Sequence, residues 1–120
     1  MEEHSQAGKV QTVTGTVNPS DMGVTLTHEH LLFDLSPLRK IPTEASLREL
    51  YYEPVSFDNL GWIRHHGARS QDNMKFLSID TAIEEMMLYK QFGGGSMVDA
   101  TSIGIARDPI GLARISRHTG

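Results

Sequence analysis

The chain contains no cysteine. Disulfides and thiolate metal sites are therefore excluded, and a reducing compartment is expected, with the cytosol as the default. Long hydrophobic runs are missing too, since no apolar stretch approaches the roughly 20 residues that cross a bilayer. The opening Met1-Glu2-Glu3-His4-Ser5-Gln6 is polar and lacks a basic and then apolar leader. A soluble, unsecreted product without a membrane partner is expected. Positive charge is also short: 11 Lys and Arg stand against 15 Asp and Glu, for a net charge of -4. That balance offers neither a nucleic-acid groove nor a polybasic anchor. No internal repeat or low-complexity tract supplies a repetitive architecture. What remains is 120 residues at 38% hydrophobic, enough for one modest core, with nothing that sets an oligomeric state.

The most informative stretch is Gly23-Val24-Thr25-Leu26-Thr27-His28-Glu29-His30. Read as a strand, it puts Val24, Leu26, His28 and His30 on one face and Thr25, Thr27 and Glu29 on the other. Two neutral imidazoles on successive same-face positions can share one divalent cation about 2 Å from each nitrogen. The alternative is a pair of strand-end polar residues with ordinary hydrogen bonds. Position favours the metal reading, because in open α/β sheets and barrels chemistry gathers at the carboxyl ends of parallel strands. Two ligands make half a site, as zinc-type ions take about four and catalytic sites draw about three from protein.

Along the chain, residues 1–8 read as a frayed tail and 9–18, around Gly15, as a short β ribbon. Asn18-Pro19-Ser20-Asp21 forms a turn, and Gly23 is free to take an unusual backbone angle before the strand over 24–30. A long loop over 31–79 follows, holding one short helix over Ala45 to Tyr52. Such a loop at a strand's carboxyl end shapes a pocket or forms a lid. Trp62 is its leading candidate pocket wall, with Tyr51, Tyr52 and Phe57, and the competing reading is a satellite cluster that pins the loop. His65-His66 chelate poorly if extended and are read as solvated.

The clearest helix covers 81–92, with a Thr81/Glu84 capping box and an apolar stripe of Ala82, Ile83, Met86, Met87 and Tyr89. Gly93-Gly94-Gly95 stops it, in a tight turn without phosphate-loop spacing. A second strand over 96–101 and a second helix over 108–118, capped by Asp108 with Pro109 at its first position, complete the pattern. Strand, helix, strand, helix implies a right-handed parallel βαβ unit. Asp99, near the second strand's carboxyl end, either orients a metal-bound imidazole or hydrogen-bonds the loop from Ser102 to Arg107, and the structural role is preferred. Arg107 and Asp108 are assigned to capping.

The run Gly8-Lys9-Val10-Gln11-Thr12-Val13, then Gly15, then Gly23 through His30, resembles the opening of the phosphotriesterase family within the amidohydrolase superfamily. Tyr89-Lys90, Gly93 through Val98, Gly104 and Arg107-Asp108 are similar to its animal phosphotriesterase-related branch. The resemblance implies an α/β fold made of the N-terminal βα units of a TIM (β/α)8 barrel, preceded by a short β ribbon and incomplete in this chain, since such barrels take about 250 residues. It also implies a divalent cation of zinc type, one or two per site, that activates water to attack a small ester, amide or phosphoester, with N-acyl amino acids and N-acyltaurine among the amides. His28 and His30 match the family's first two ligands. Its bridging glutamate or carboxylated lysine, two later histidines and late aspartate match nothing here, so no catalytic residue is assigned within this chain. The expected partner is a small-molecule substrate. Two readings stay open: a piece of a metal-dependent hydrolase, inactive by itself, or a non-catalytic truncated product with an open strand edge.

Overall fold

The structure is a computed structural model that describes residues 6–120. Residues 1–5 of the expected tail lie outside the described residues. In chain order the strands are β1 (Val10–Thr12), β2 (Gly15–Val17), β3 (Val24–Glu29), β4 (Phe33–Asp34), β5 (Lys75–Phe76) and β6 (Gly94–Asp99). The helices are α1 (Ala45–Tyr52), α2 (Leu60–His66), α3 (Ile79–Gln91) and α4 (Pro109–Thr119), with short 3-10 turns between. Among the described residues no helix is long and apolar enough to cross a membrane. Two compact units form among the described residues: 6–32, 78–101 and 108–120 in one, 33–77 and 102–107 in the other.

The first unit carries the β ribbon and a parallel pair. β1 and β2 run antiparallel, with Val10 opposite Val17. β3 and β6 run parallel, with Leu26 opposite Met97 and Glu29 opposite Asp99. A parallel pair needs a crossover, and α3 supplies it. Gly23 enters β3 at φ +64, a left-handed angle open to glycine without steric cost, while a Cβ on Gly95 would run into the Met22 carbonyl oxygen. Tyr89, on α3, bonds both strands: its hydroxyl lies 2.9 Å from the Val24 carbonyl and 2.9 Å from the Ser96 carbonyl. One phenolic proton is shared between two acceptors, one on each strand.

α3 begins two residues before the expected capping box. Ser78 is its cap, its hydroxyl accepting from the Thr81 amide at 3.2 Å, so Thr81 sits inside the first turn. β6 likewise starts earlier than the expected 96–101, because Gly94 pairs with Val24 and Gly95 sits at a register shift before Ser96 pairs with Thr25. α4 follows its local signals: Pro109 at the first position and the Asp108 carboxylate accepting from the Gly111 amide at 2.9 Å. α3 and α4 pack together, and Leu32, Ala82, Ala113 and Ile115 form the buried core of this unit. The Asp80–Arg114 pair beside them, at 3.9 Å and exposed, contributes little.

The second unit corrects the reading of 31–79 as one long loop with a single helix. α1 forms over the expected Ala45–Tyr52, but α2 forms as well, and β4 pairs antiparallel with β5, Phe33 opposite Phe76 and Asp34 opposite Lys75. The physical reason is a small core of its own. Tyr51, Ile63 and Met74 are buried at helix and turn positions that hydrophobic spacing marks weakly. Backbone bonds close the unit: Gln71 N–H donates to the Tyr51 carbonyl at 2.9 Å, and Leu35 N–H to the Met74 carbonyl at 2.7 Å. The Asp72 carboxylate accepts from the Val55 amide at 2.9 Å.

Candidate metal centre

β3 ends at Glu29, with His28 inside the strand and His30 just beyond it. Val24 and Leu26 lead up to them on the same alternation, so His28 and His30 project together at the strand's carboxyl end. Their ring centroids lie 5.3 Å apart with the planes at 73°. Both side chains are exposed.

Behind His30 the strand ends are tied together. His30 Nδ1 lies 3.0 Å from Thr101 Oγ1, and Thr101 is only 1% exposed. Ala100 N–H donates to the Glu29 carbonyl at 2.8 Å, carrying the β3–β6 ladder past Asp99. Both Asp99 carboxylate oxygens meet backbone amides at 2.9 Å: Oδ2 accepts from Leu31 and Oδ1 from Thr101. Asp99 therefore clamps the residue after His30 to the residue that holds the His30 ring.

Thr101 is the site residue that sequence reasoning missed. Its signal is slight: a hydroxyl two positions after a strand-end carboxylate, in a stretch that also offers Ser96 and Ser102.

The donor set is right in kind for a divalent cation of zinc type and incomplete in number. Two imidazoles converge, and among the described residues no group of three or more His, Asp or Glu comes together. These residues fit the cation as one half of a site.

The other sequence candidates belong to the second unit. Trp62 stacks on His66, centroids 5.1 Å apart at 15°, while His66 Nδ1–H donates to the Trp62 carbonyl at 3.0 Å. His65 and His66 lie on α2 instead of in extended chain. Tyr51 is fully buried with its ring edge-on to Tyr52 at 4.8 Å, and its hydroxyl finds no partner among the described residues. Phe57 is 96% exposed. A shallow hollow of about 390 Å³ in this unit is lined by Phe33, Val55, Asp72, Asn73, Lys75 and Phe76. Asp34, on β4, titrates below the usual aspartate range, because Ser36 hydrogen-bonds its carboxylate through side chain and backbone and Lys75 and Arg39 add positive charge.

Comparison with known proteins places this geometry. The model of the phosphotriesterase family matches residues 8–120. N-acetyltaurine hydrolase from Homo sapiens is 40% identical over 119 residues, covering 97% of this chain and 33% of that protein. Phosphotriesterase-related protein from Drosophila sechellia is 34% identical over 114 residues, covering 92% and 32%. The chain thus spans about a third of the length of the curated relatives it matches.

Among solved structures, a resiniferatoxin-binding protein from Rhodobacter sphaeroides superposes with a TM-score of 0.89 at 37% identity, over 93% of this chain and 31% of that one. Organophosphorus hydrolase from Deinococcus radiodurans superposes at 0.58 and 27% identity, over 93% and 26%. These neighbours are (β/α)8 barrels, and the parallel β3–β6 pair with α3 and α4 corresponds to part of one, without barrel closure among the described residues. A match over nearly the whole chain makes this chain a member of the phosphotriesterase family.

Proposed function

We propose that this chain supplies the first part of a metal-dependent hydrolase, with His28 and His30 as the first two ligands of its metal centre. The observation that carries the reading is the pairing of the two imidazoles at the carboxyl end of β3, 5.3 Å apart, where the family's barrels hold their chemistry. When bound, a divalent cation polarises the bond under attack and lowers the pKa of water toward about 7. The chain's own residues do the holding. β3 sets the spacing of the imidazoles, and β6 with Asp99 fixes the backbone that carries them.

The substrate class is a small ester, amide or phosphoester. The relatives named N-acetyltaurine hydrolase favour the amide, an N-acyltaurine or N-acyl amino acid. With two ligands, residues 1–120 alone bind the cation weakly and turn over nothing at a useful rate, and the remaining ligands and the proton acceptor come from other residues of a complete barrel. The protein acts on its small-molecule substrate in the cytosol.

The test uses the native protein in which this sequence occurs. Metal content and hydrolysis of N-acetyltaurine are measured for wild type, His28→Ala and His30→Ala. Each variant is expected to lose at least about a hundredfold in metal affinity or activity, since a ligand should matter no less than the outer partners, worth 10- to 100-fold. Unchanged metal content and turnover in both variants would sink the assignment.

One observation favours a second reading, a non-catalytic truncated product. The β3–β6 sheet has two strands and exposes Val24, Leu26 and Val98. Open strands invite an added strand from a partner. Peptide mapping of the native polypeptide decides between the two: peptides carrying the missing ligands support the hydrolase, and a native product ending at Gly120 supports the fragment.

A further inference from the structure

We propose that Thr101 is a positioning residue that holds the His30 ring by Nδ1, so that Nε2 is the nitrogen offered to the cation. The inference rests on the assignment of His30 as a ligand and goes beyond it. An exposed imidazole at a strand end can rotate about two side-chain bonds and can carry its proton on either nitrogen. Here Nδ1 lies 3.0 Å from the hydroxyl of a residue that is 1% exposed. Thr101 has little freedom to follow a moving ring, because its own amide donates to Asp99 Oδ1 at 2.9 Å.

Asp99 Oδ2 in turn accepts from Leu31, the residue after His30. The bonds thus close a circuit from the His30 ring through Thr101 and Asp99 back to the backbone beside His30. Ring and backbone are fixed from the same anchor.

The chemistry follows from the tautomer. Thr101 Oγ1 can accept from Nδ1–H or donate to a bare Nδ1, and only in the first case does Nε2 keep its lone pair and serve as the electron-pair donor. With the tautomers reversed, Nε2 carries the proton and a cation must first displace it. A hydrogen bond that holds the proton on Nδ1 therefore raises affinity without touching the cation.

The experiment compares wild type, Thr101→Val, Thr101→Ser and His30→Ala in the native protein. Histidine-selective nitrogen NMR of the metal-free protein reads the His30 tautomer, and zinc titration reads affinity. Wild type is expected to hold the proton on Nδ1. Thr101→Val, which keeps the shape and removes the hydroxyl, should give a tautomer mixture and a zinc affinity lower by about 10- to 100-fold. Thr101→Ser should restore both.

A wild-type His30 protonated on Nε2 overturns the proposal by itself, whether or not the valine variant folds. So does a folded Thr101→Val protein with unchanged tautomer and affinity. His30→Ala separates the two levels: undiminished zinc affinity there removes the ligand assignment itself, whereas lost affinity there with none lost in Thr101→Val removes only the positioning role.

Discussion

The ring of Tyr89 occupies the space that a side chain on Gly94 would need: a Cβ built on Gly94 collides with the ring carbons. The same tyrosine reaches past that glycine to the carbonyls of Val24 and Ser96, so the absent side chain is what lets α3 dock on both strands.

Gly94→Ala should therefore destabilise the protein by about 1–3 kcal/mol, the usual cost of forcing a methyl into a filled space. Tyr89→Phe, which keeps the ring and loses the hydroxyl, should cost about 0.5–1.5 kcal/mol. Urea unfolding of the native protein checks both. A Gly94→Ala midpoint equal to wild type would show that the ring moves aside freely.

Ala106 is the only non-glycine residue with positive φ among the described residues, at φ 69. A Cβ in that region costs about 1–2 kcal/mol, and glycine avoids it while losing more chain entropy on folding. Ala106→Gly should leave a net gain of up to about 1 kcal/mol, read as a rise in urea midpoint. A loss of stability would mean that the methyl makes contacts worth more than the strain.

The Asp108 carboxylate accepts the Gly111 amide at the start of α4. Asp108→Ala should cost about 1 kcal/mol and Asp108→Asn clearly less, as asparagine also caps. Equal losses in the two variants would assign the effect to charge and not to the hydrogen bond. Amide hydrogen exchange in the first turn of α4 reads the local fraying.

Asp34 titrates below its ordinary value of 3.8, chiefly through its bonds to Ser36. A depressed folded-state pKa means that the unfolded chain binds the proton more readily, so stability falls as pH drops. The contribution is fully present above the ordinary aspartate value and is lost as pH falls through the lowered one. Asp34→Asn should lower stability in the neutral region, leave it little changed at pH below the lowered pKa, and so flatten the acid limb of the profile. A variant whose acid limb keeps its slope would remove Asp34 as a contributor.

Local signals in the sequence reached far into this fold. The alternation of Val24, Leu26, His28 and His30 reads directly as a strand face, and Asp108-Pro109 as a helix start, because both depend on neighbours within a few positions. α1 was legible in the same way. α2 was not: Leu60 and Ile63 are too few to mark a period, and its helix is stabilised by contacts that only the folded unit provides. β4 and β5 escaped for a similar reason, since two residues each carry no alternation until Phe33 meets Phe76. In the candidate site the histidines were legible from spacing. The Thr101 contact was not, because it joins residues 71 positions apart.

That separation also bears on synthesis. A ribosome adds about 5–20 residues per second, so His30 leaves the peptidyl-transferase centre roughly 4–14 seconds before Thr101 has been joined to the chain. Throughout that interval the imidazoles of β3 have neither the anchoring hydroxyl nor the neighbouring strand β6, while residues 33–77 can already begin to organise around Tyr51 and Ile63. The stretch made between the two strands is thus able to organise first. The histidine-bearing strand, though translated earlier, waits for its support.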